Sequence, residues 1–329
     1  MSYTRLLKAV ATSEPRHLNQ EEIRQLFAAM LDGGIPDLEL GALLLALRQK
    51  GEHAVELDGA AEALAARTMR LASPERPVVV LPSYGGGRDM PNLTPLLALL
   101  LRRFEIPVLI HGELDGHGRV ASAYVLRELG VMPVASLSRA QEALARDGLA
   151  FVPVGALSPG LAALLALRAR LGVRHLGHQV AKLLQPFDDA RSLAVIGATH
   201  ADRLERFRQV CLLRRRRALV LMGTEGEPYA HPSHRPEIDF LSDGKQEVLF
   251  RAESSSFALP ANLPAGLDAA ATARWIEAAL TGEVSLPTPI LNQLACCLYG
   301  IGYVDDMNQA KAIVAVEVGM LAQKRLRAA

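Results

Sequence analysis

Two stretches of this chain carry residue types at spacings that could do chemistry. The first is Pro82-Ser83-Tyr84-Gly85-Gly86-Gly87-Arg88-Asp89-Met90-Pro91-Asn92-Leu93-Thr94-Pro95. Three consecutive glycines remove the Cβ barrier to positive φ and let a ligand approach the backbone. Where such a turn leads into a helix, its N–H groups can hold an anion. Pro95 suits the first helical position and Thr94 the cap before it. The bland alternative is a tight strand-to-helix connection. The turn has neither the Gly-Lys-Ser/Thr ending of a P-loop nor the Gly-x-Gly-x-x-Gly spacing of a dinucleotide fingerprint. Its fixed charges, Arg88 and Asp89, cancel.

The second stretch is basic. Between positions 203 and 217 there are seven arginines against one glutamate, Glu205, a local charge of +6. Arginines in that density suit phosphate, because each guanidinium can pair with an anionic oxygen and release a counterion. Leu204, Phe207, Val210 and Cys211 form the buried stripe of a helix there, and Arg203, Arg206, Arg208 and Arg215 rim it. Arg214 and Arg216 fall at its C-terminal end, where cations are favoured without any ligand. Arg217, just before a strand, suits a carboxylate partner. Arg168, Arg170 and Arg174, on a helical stretch from 160 to about 184, are secondary candidates whose plain reading is a solvated face.

These residues need elements to position them. Residues 1–72 read as helical throughout. Asn19-Gln20-Glu21-Glu22 opens a helix whose Ile23, Leu26, Phe27 and Met30 follow helical spacing. After Gly33-Gly34, a helix beginning at Pro36-Asp37 is apolar nearly all round, with Leu38, Leu40, Leu43, Leu44, Leu45 and Leu47. Such a helix is expected to be buried on more than one side, by the core or by a second subunit. A third helix spans roughly 54–71. Short apolar runs then alternate with helices: 78–81, 107–112, 151–154, 193–196 and 218–223 read as strands. That alternation predicts a mostly parallel sheet flanked by helices. An antiparallel hairpin is expected over 237–256, turning at Asp243-Gly244, and helices over about 268–281, 288–301 and 305–327. The domain reading is a small helical domain, 1–72, with a helical return around 160–190, and a larger α/β domain, 76–329.

Composition narrows the class. Half of the 329 residues are hydrophobic, which excludes global disorder. No apolar window is long enough to span a membrane, and the charged N-terminus does not suit a signal peptide. Three cysteines, two of them adjacent, make no disulfide framework, so a reduced, cytoplasmic setting is expected. Lys and Arg number 36 against 35 Asp and Glu, so the charge of the arginine segment must be offset elsewhere and an asymmetric surface is expected.

Several strings resemble a known family. Asp32-Gly33-Gly34-Ile35-Pro36-Asp37, followed by Gly41 to Glu52, is similar to the N-terminal helical domain of anthranilate phosphoribosyltransferase and thymidine phosphorylase, in glycosyltransferase family 3. The glycine turn occupies the place of that family's pyrophosphate loop, His111-Gly112 matches its His-Gly, and Ser122 to Gly130 sits where it has Ser-Ala-Asp-x-Leu-Glu-x-Leu-Gly. The resemblance covers nearly the whole chain and implies the α/β fold above. Pro82-Ser83-Tyr84, Pro91 to Ala98, Phe151 to Ala156 and Gly223-Thr224-Glu225-Gly226-Glu227 resemble more closely a branch of the fold that binds nucleic acid.

The departures bear on function. The resemblance implies a Gly-Thr-Gly-Gly-Asp loop for pyrophosphate, and here Pro82-Ser83-Tyr84-Gly85-Gly86 replaces its start, with Tyr84 bulky where close approach is wanted. It implies an Asp-Glu pair for Mg²⁺, and the place after Gly226 reads Glu227-Pro228-Tyr229. Glu225 and Glu227 remain nearby, most simply in a solvated loop. The expected lysine before His111 is Ile110.

The reading that follows is sequence-nonspecific binding of a DNA or RNA backbone through Arg203, Arg206, Arg208, Arg214 and Arg215, with Arg168, Arg170 and Arg174 in support. Aromatics make up only 5% of the chain, so base stacking has little support. No catalytic residue, cofactor, metal or membrane partner is expected. A homodimer through the helical domain, with the leucine-rich helix at 38–47 at its interface, would double the basic surface. The alternative is a Mg²⁺-dependent phosphoribosyl transfer using Gly85, Gly86, Gly87, Arg88, Asn92, Thr94, His111 and Ser122, a set read in the main hypothesis as a vestigial phosphate loop. In plain terms, His111 is a strand-end histidine bonded to a loop, and Asn92 and Thr94 are caps.

Overall fold

The structure, a computed structural model, describes residues 3–253, 263–264 and 266–328. The chain divides into two compact units, 1–70 with 154–186 and 71–153 with 187–329.

The first unit is helical. Its helices Tyr3–Val10, Gln20–Leu31, Asp37–Lys50 and Ala54–Ala65 precede the excursion into the second unit. Asn19 and Glu22 form a reciprocal capping box, and Ile23, Leu26, Phe27 and Met30 are buried on the face that the spacing predicts. In the helix Asp37–Lys50, Leu43, Leu44 and Leu47 are buried, while Leu38 is 83% and Leu45 43% exposed, so among the described residues one side is covered and the other is open.

The return segment departs from expectation. It runs as four short helices, Val154–Leu157, Pro159–Ala166, Arg168–Leu171 and Leu176–Val180, the last three in place of the single helix expected from 160 to about 184. Gly172, at φ +70°, ends the third, and His175 caps the fourth by accepting from Gly177 N. Apolar periodicity carries through such breaks, which is why the pattern reads as one helix.

The second unit is built on a seven-stranded sheet: β1 (Val78–Ser83), β2 (Val108–Gly112), β3 (Leu149–Pro153), β4 (Ser192–Ala198), β5 (Ala218–Met222), β6 (Ile238–Ser242) and β7 (Lys245–Phe250). The order is β3-β2-β1-β4-β5-β6-β7, parallel through β5 and antiparallel beyond it. Alternate residues serve opposite faces. Val79 and Leu81 join one core with Val108, Ile110, Val195 and Leu219, while Val78 and Val80 are equally buried on the other side. Sheets covered on both faces read as continuous apolar runs, as these strands do. Asp243 and Gly244 both have positive φ, as a tight hairpin requires. Residues 254–256 of the expected hairpin lie outside the described residues.

Helices Ala269–Thr281, Thr288–Ile301 and Met307–Ala328 follow, with Cys296 and Cys297 buried in the second. The helix Leu137–Asp147 has no counterpart in the sequence reading. Leu137, Ala140 and Leu144 keep helical spacing between Ser136 and Gly148, but the segment is polar overall. Among the described residues no helix is long and apolar enough to cross a membrane.

The site follows from this topology. Strand order reverses between β1 and β4, the place at which open parallel sheets in general bind ligands, beyond the C-terminal strand ends. The glycine turn leaves β1 at that edge, and the turn Thr224–Gly226 leaves β5 at the same edge.

Candidate functional site

The glycine loop is already occupied by the protein's own carboxylates. Glu227 is fully buried. Its Oε1 accepts from Gly85 N (2.5 Å) and Gly86 N (2.9 Å), and its Oε2 from Ser83 Oγ (2.6 Å) and Thr94 Oγ1 (2.8 Å). Glu225 takes the next part of the loop. It accepts from Arg88 N (2.8 Å), Asp89 N (2.7 Å) and Met90 N (3.0 Å), and pairs with the Arg119 guanidinium at 3.0 Å. Neither glutamate lies in a solvated loop, which corrects that expectation. Loop N–H groups need a buried acceptor, and these carboxylates supply it.

Three glycines make the fit possible. A Cβ on Gly223 would stand 1.9 Å from the Glu227 carbonyl oxygen, and one on Gly197, at the end of β4, 2.2 Å from it. A Cβ on Gly85 would meet Glu225 O at 2.8 Å and Glu227 Oε1 at 2.9 Å. The glycine run therefore serves close packing within the chain, where the sequence suggested room for an external ligand.

The structure brings most of the loop candidates into one network. Ser122 Oγ lies 2.7 Å from Ser83 Oγ and accepts from Asn92 Nδ2 at 3.1 Å. Asn92 also donates to Val120 O and accepts from Thr94 N, and its side chain is buried. Gly87 exchanges backbone hydrogen bonds with Val120. The N-cap of the helix Thr94–Arg103 is Leu93, with Thr94 its first residue, so the Thr94 hydroxyl reaches Glu227 rather than capping. Arg88 contributes its amide, and its exposed side chain turns to Asp89.

His111 lies against Tyr84. Its Nδ1 is 2.8 Å from the Tyr84 hydroxyl, and both residues are buried. Burial, with a contribution from the charge of Glu113, pushes the Tyr84 phenol well above its usual range. Tyr84 thus tucks toward β2 and does not block the mouth of the loop, which corrects the expectation drawn from its bulk.

Sequence reasoning overlooks Ser83, Arg119 and the role of Glu227. The signal available was Gly223-Thr224-Glu225-Gly226-Glu227 directly after a strand, two carboxylates spaced for a tight turn beside a nest of N–H donors.

The arginine candidates are largely matched within the chain. The helix Ala201–Leu213 buries Leu204, Phe207, Val210 and Cys211, as its spacing predicts. Arg206 pairs with Asp202, and Arg208 with Glu205 and the buried Asp239. Arg216 is buried against Asp189 at 3.1 Å, and Arg217 lies over the Phe240 ring at 5.9 Å, with no carboxylate paired to it among the described residues. Arg214 caps the helix. Three of the seven arginines, Arg206, Arg208 and Arg216, are thus paired with acids of the chain. Arg203 reaches Thr199 Oγ1 at 3.5 Å, and Arg215 is exposed at φ 53°. Among the described residues neither Arg203 nor Arg215 is paired with a carboxylate.

The remaining three arginines belong to the first unit. Arg170 pairs with Asp37 at 3.0 Å on the surface, Arg168 is half-buried, and the carbonyl of Arg174 accepts from the Arg48 guanidinium. Among the described residues no group of three or more His, Cys, Asp or Glu side chains is arranged for a metal ion.

Comparison with known proteins agrees with this architecture. Residues 4–68 match the helical bundle domain of the glycosyl transferase family. The chain is 38% identical over 318 residues to the uncharacterized protein YbiB of Escherichia coli, covering 95% of this chain and 99% of that one. It is 30% identical over 325 residues to the anthranilate phosphoribosyltransferase of Myxococcus xanthus, covering 94% and 93%. Among solved structures, anthranilate phosphoribosyltransferase from Thermus thermophilus superposes with a TM-score of 0.75 at 21% identity, over 98% of this chain and 97% of that one. The enzyme from Saccharomyces cerevisiae in complex with PRPP and Mg gives 0.75 at 13% identity, over 98% and 95%.

Proposed function

Because this chain belongs to the family that includes YbiB of Escherichia coli and the anthranilate phosphoribosyltransferases, we propose that it uses the phosphoribosyltransferase scaffold to bind rather than to transfer. Its ligand, in this reading, is the phosphate backbone of a nucleic acid, held without reading the bases. The observation that carries the reading is Glu227. A pyrophosphate in the glycine loop would have to take the N–H and hydroxyl donors of Ser83, Gly85, Gly86 and Thr94, and all four already point at a carboxylate. Phosphate recognition then falls to guanidinium groups outside the loop, and Arg203 and Arg215 are the ones best placed to supply it. Contacts of that kind position a backbone and carry no sequence information.

Mg²⁺, which the fold family implies, does not fit the same residues. A cation needs free carboxylate lone pairs, and both oxygens of Glu225 and of Glu227 face hydrogen-bond donors. No reaction step is therefore derived through it.

The test is a salt titration of binding to double- and single-stranded DNA and to RNA, with and without Mg²⁺. Binding that weakens steeply as salt rises and ignores Mg²⁺ supports the reading. Absence of binding at low salt ends it.

The comparisons with known proteins support the transferase reading better than the nucleic-acid one, since the named enzymes among the relatives and solved neighbours are anthranilate phosphoribosyltransferases, and Asn92, Thr94 and Ser122 converge on the glycine loop. The transferase reading requires the turn Thr224–Glu227 to leave its place. Mg²⁺-dependent binding of phosphoribosyl pyrophosphate by the wild-type protein would favour it over the nucleic-acid reading.

A further inference from the structure

We propose that the turn Thr224–Glu227 is an intramolecular substitute for a diphosphate: Glu225 and Glu227 act as the resident anion of the glycine loop and keep it closed to free oxyanions. The proposal does not depend on what the arginines bind.

Three observations carry it. First, seven N–H and O–H donors of the segment from Ser83 to Thr94 converge on two carboxylates two residues apart. Ser83, Gly85, Gly86 and Thr94 surround one, and the amides of Arg88, Asp89 and Met90 the other. Consecutive backbone amides in such a concavity form an anion nest, and two adjacent anionic centres match the two halves of a diphosphate.

Second, Glu227 is fully buried, and among the described residues no cationic side chain pairs with it. Its charge is balanced by loop donors and not by an ion pair. A carboxylate is stable in such a place only where the donors are already aimed at an anion.

Third, Glu225 sits in the left-handed region at φ 52° and ψ 23°. A residue with a Cβ is held there only when its surroundings over-determine it, and here the carboxylate is fixed by three amides and Arg119. The backbone is strained at the residue that delivers the anion.

A tethered anion competes at an effective concentration on the order of millimolar or above, so a free diphosphate meets a site that is already filled. Removing the tethered carboxylate should expose the donors.

The test is calorimetric titration of inorganic pyrophosphate, without Mg²⁺, into the wild type and into Glu225→Ala/Glu227→Ala, each confirmed folded by circular dichroism. The double variant should bind about tenfold or more tightly than the wild type. Equal affinity in the two proteins, or a folded double variant that takes no pyrophosphate, overturns the proposal. Should the double variant fail to fold, amide hydrogen exchange on the wild type and on Glu227→Ala, which removes the acceptor, decides. The Gly85 and Gly86 amides should be protected in the ligand-free wild type. In Glu227→Ala they should lose protection while Arg88 and Asp89 keep theirs. Fast exchange at Gly85 and Gly86 in the wild type, or protection unchanged by Glu227→Ala, sinks it.

Discussion

Arg208, on the helix Ala201–Leu213, donates from Nε (3.1 Å) and from Nη2 to the same oxygen of Asp239, a fully buried carboxylate on β6. Gln246 donates to the other oxygen at 3.1 Å. This arginine therefore belongs to the join between helix and sheet. Truncating one member of a buried, hydrogen-bonded pair leaves the other charged and unpaired, at a cost of about 3–5 kcal/mol. Arg208→Ala should lower the unfolding free energy by that order in urea titration. Arg203→Ala, with no carboxylate partner, should change it by about 0.5 kcal/mol or less. Equal effects of the two would show that the buried pair contributes nothing special.

The same contrast decides which variants can test nucleic-acid binding. Arg208 and the buried Arg216 are poor probes, because losing either disturbs the fold. Arg203→Ala with Arg215→Gly is the informative pair. Glycine also suits the positive φ of Arg215, so that change carries no backbone penalty. If each arginine contacts one phosphate, the slope of log affinity against log salt should become shallower by roughly one unit per substitution, equally on every DNA sequence. An unchanged slope would move the interface away from this helix, and Arg168, Arg170 and Arg174 would be next to test.

The first unit carries a pH dependence. Burial drives the His175 imidazole down from its usual value to about 4, with the charge of Arg48 adding to the effect against an opposing bond to Leu164 O. The folded chain then refuses a proton that the unfolded chain accepts between about pH 6.5 and 4. The associated stability is complete above the unfolded value and is lost as pH falls through that window, by about 3 kcal/mol in all. Burial pushes the neighbouring His178 further, to about 2, so the loss continues below pH 4. His175→Asn keeps a capping acceptor for Gly177 N but does not titrate. Its unfolding free energy should fall less steeply between pH 6.5 and 4, by about 1.4 kcal/mol per pH unit. Parallel pH profiles for the variant and the wild type would exclude His175 as the titrating group.

How much of this is legible depends on whether a pattern is local. The strands of the sheet and the capping box at Asn19 are written in short-range spacing, and they appear where that spacing puts them. The helix Leu137–Asp147 keeps Leu137, Ala140 and Leu144 at helical spacing and escapes only because the segment is polar overall. The break at Gly172 escapes because apolar spacing runs across it. The site is half-legible. A glycine run after a strand announces an anion, but nothing local announces that the anion is Glu227, 142 residues away from Gly85. The arginine run misleads for a similar reason. Local composition shows the positive charge of Arg208 and Arg216, while the acids that neutralise them, Asp239 and Asp189, come from other segments.

The leucine-rich helix Asp37–Lys50 yields the last prediction. Leu38 and Leu45 are exposed and stand two helical turns apart, on one face, while Leu43, Leu44 and Leu47 fill the core opposite. Two large apolar side chains exposed in register suit a self-complementary interface about a two-fold axis, where each would meet its own copy's apolar face. We expect a homodimer through this helix. Light scattering at micromolar concentration should give twice the 35.4 kDa chain mass for the wild type and the single-chain mass for Leu38→Glu/Leu45→Glu. Because both positions face away from the core, the substitutions should leave the intrinsic stability of the monomer within about 0.5 kcal/mol. A monomeric wild type, or a dimer that tolerates both glutamates, would take this helix out of any interface and leave its exposed leucines as ordinary surface.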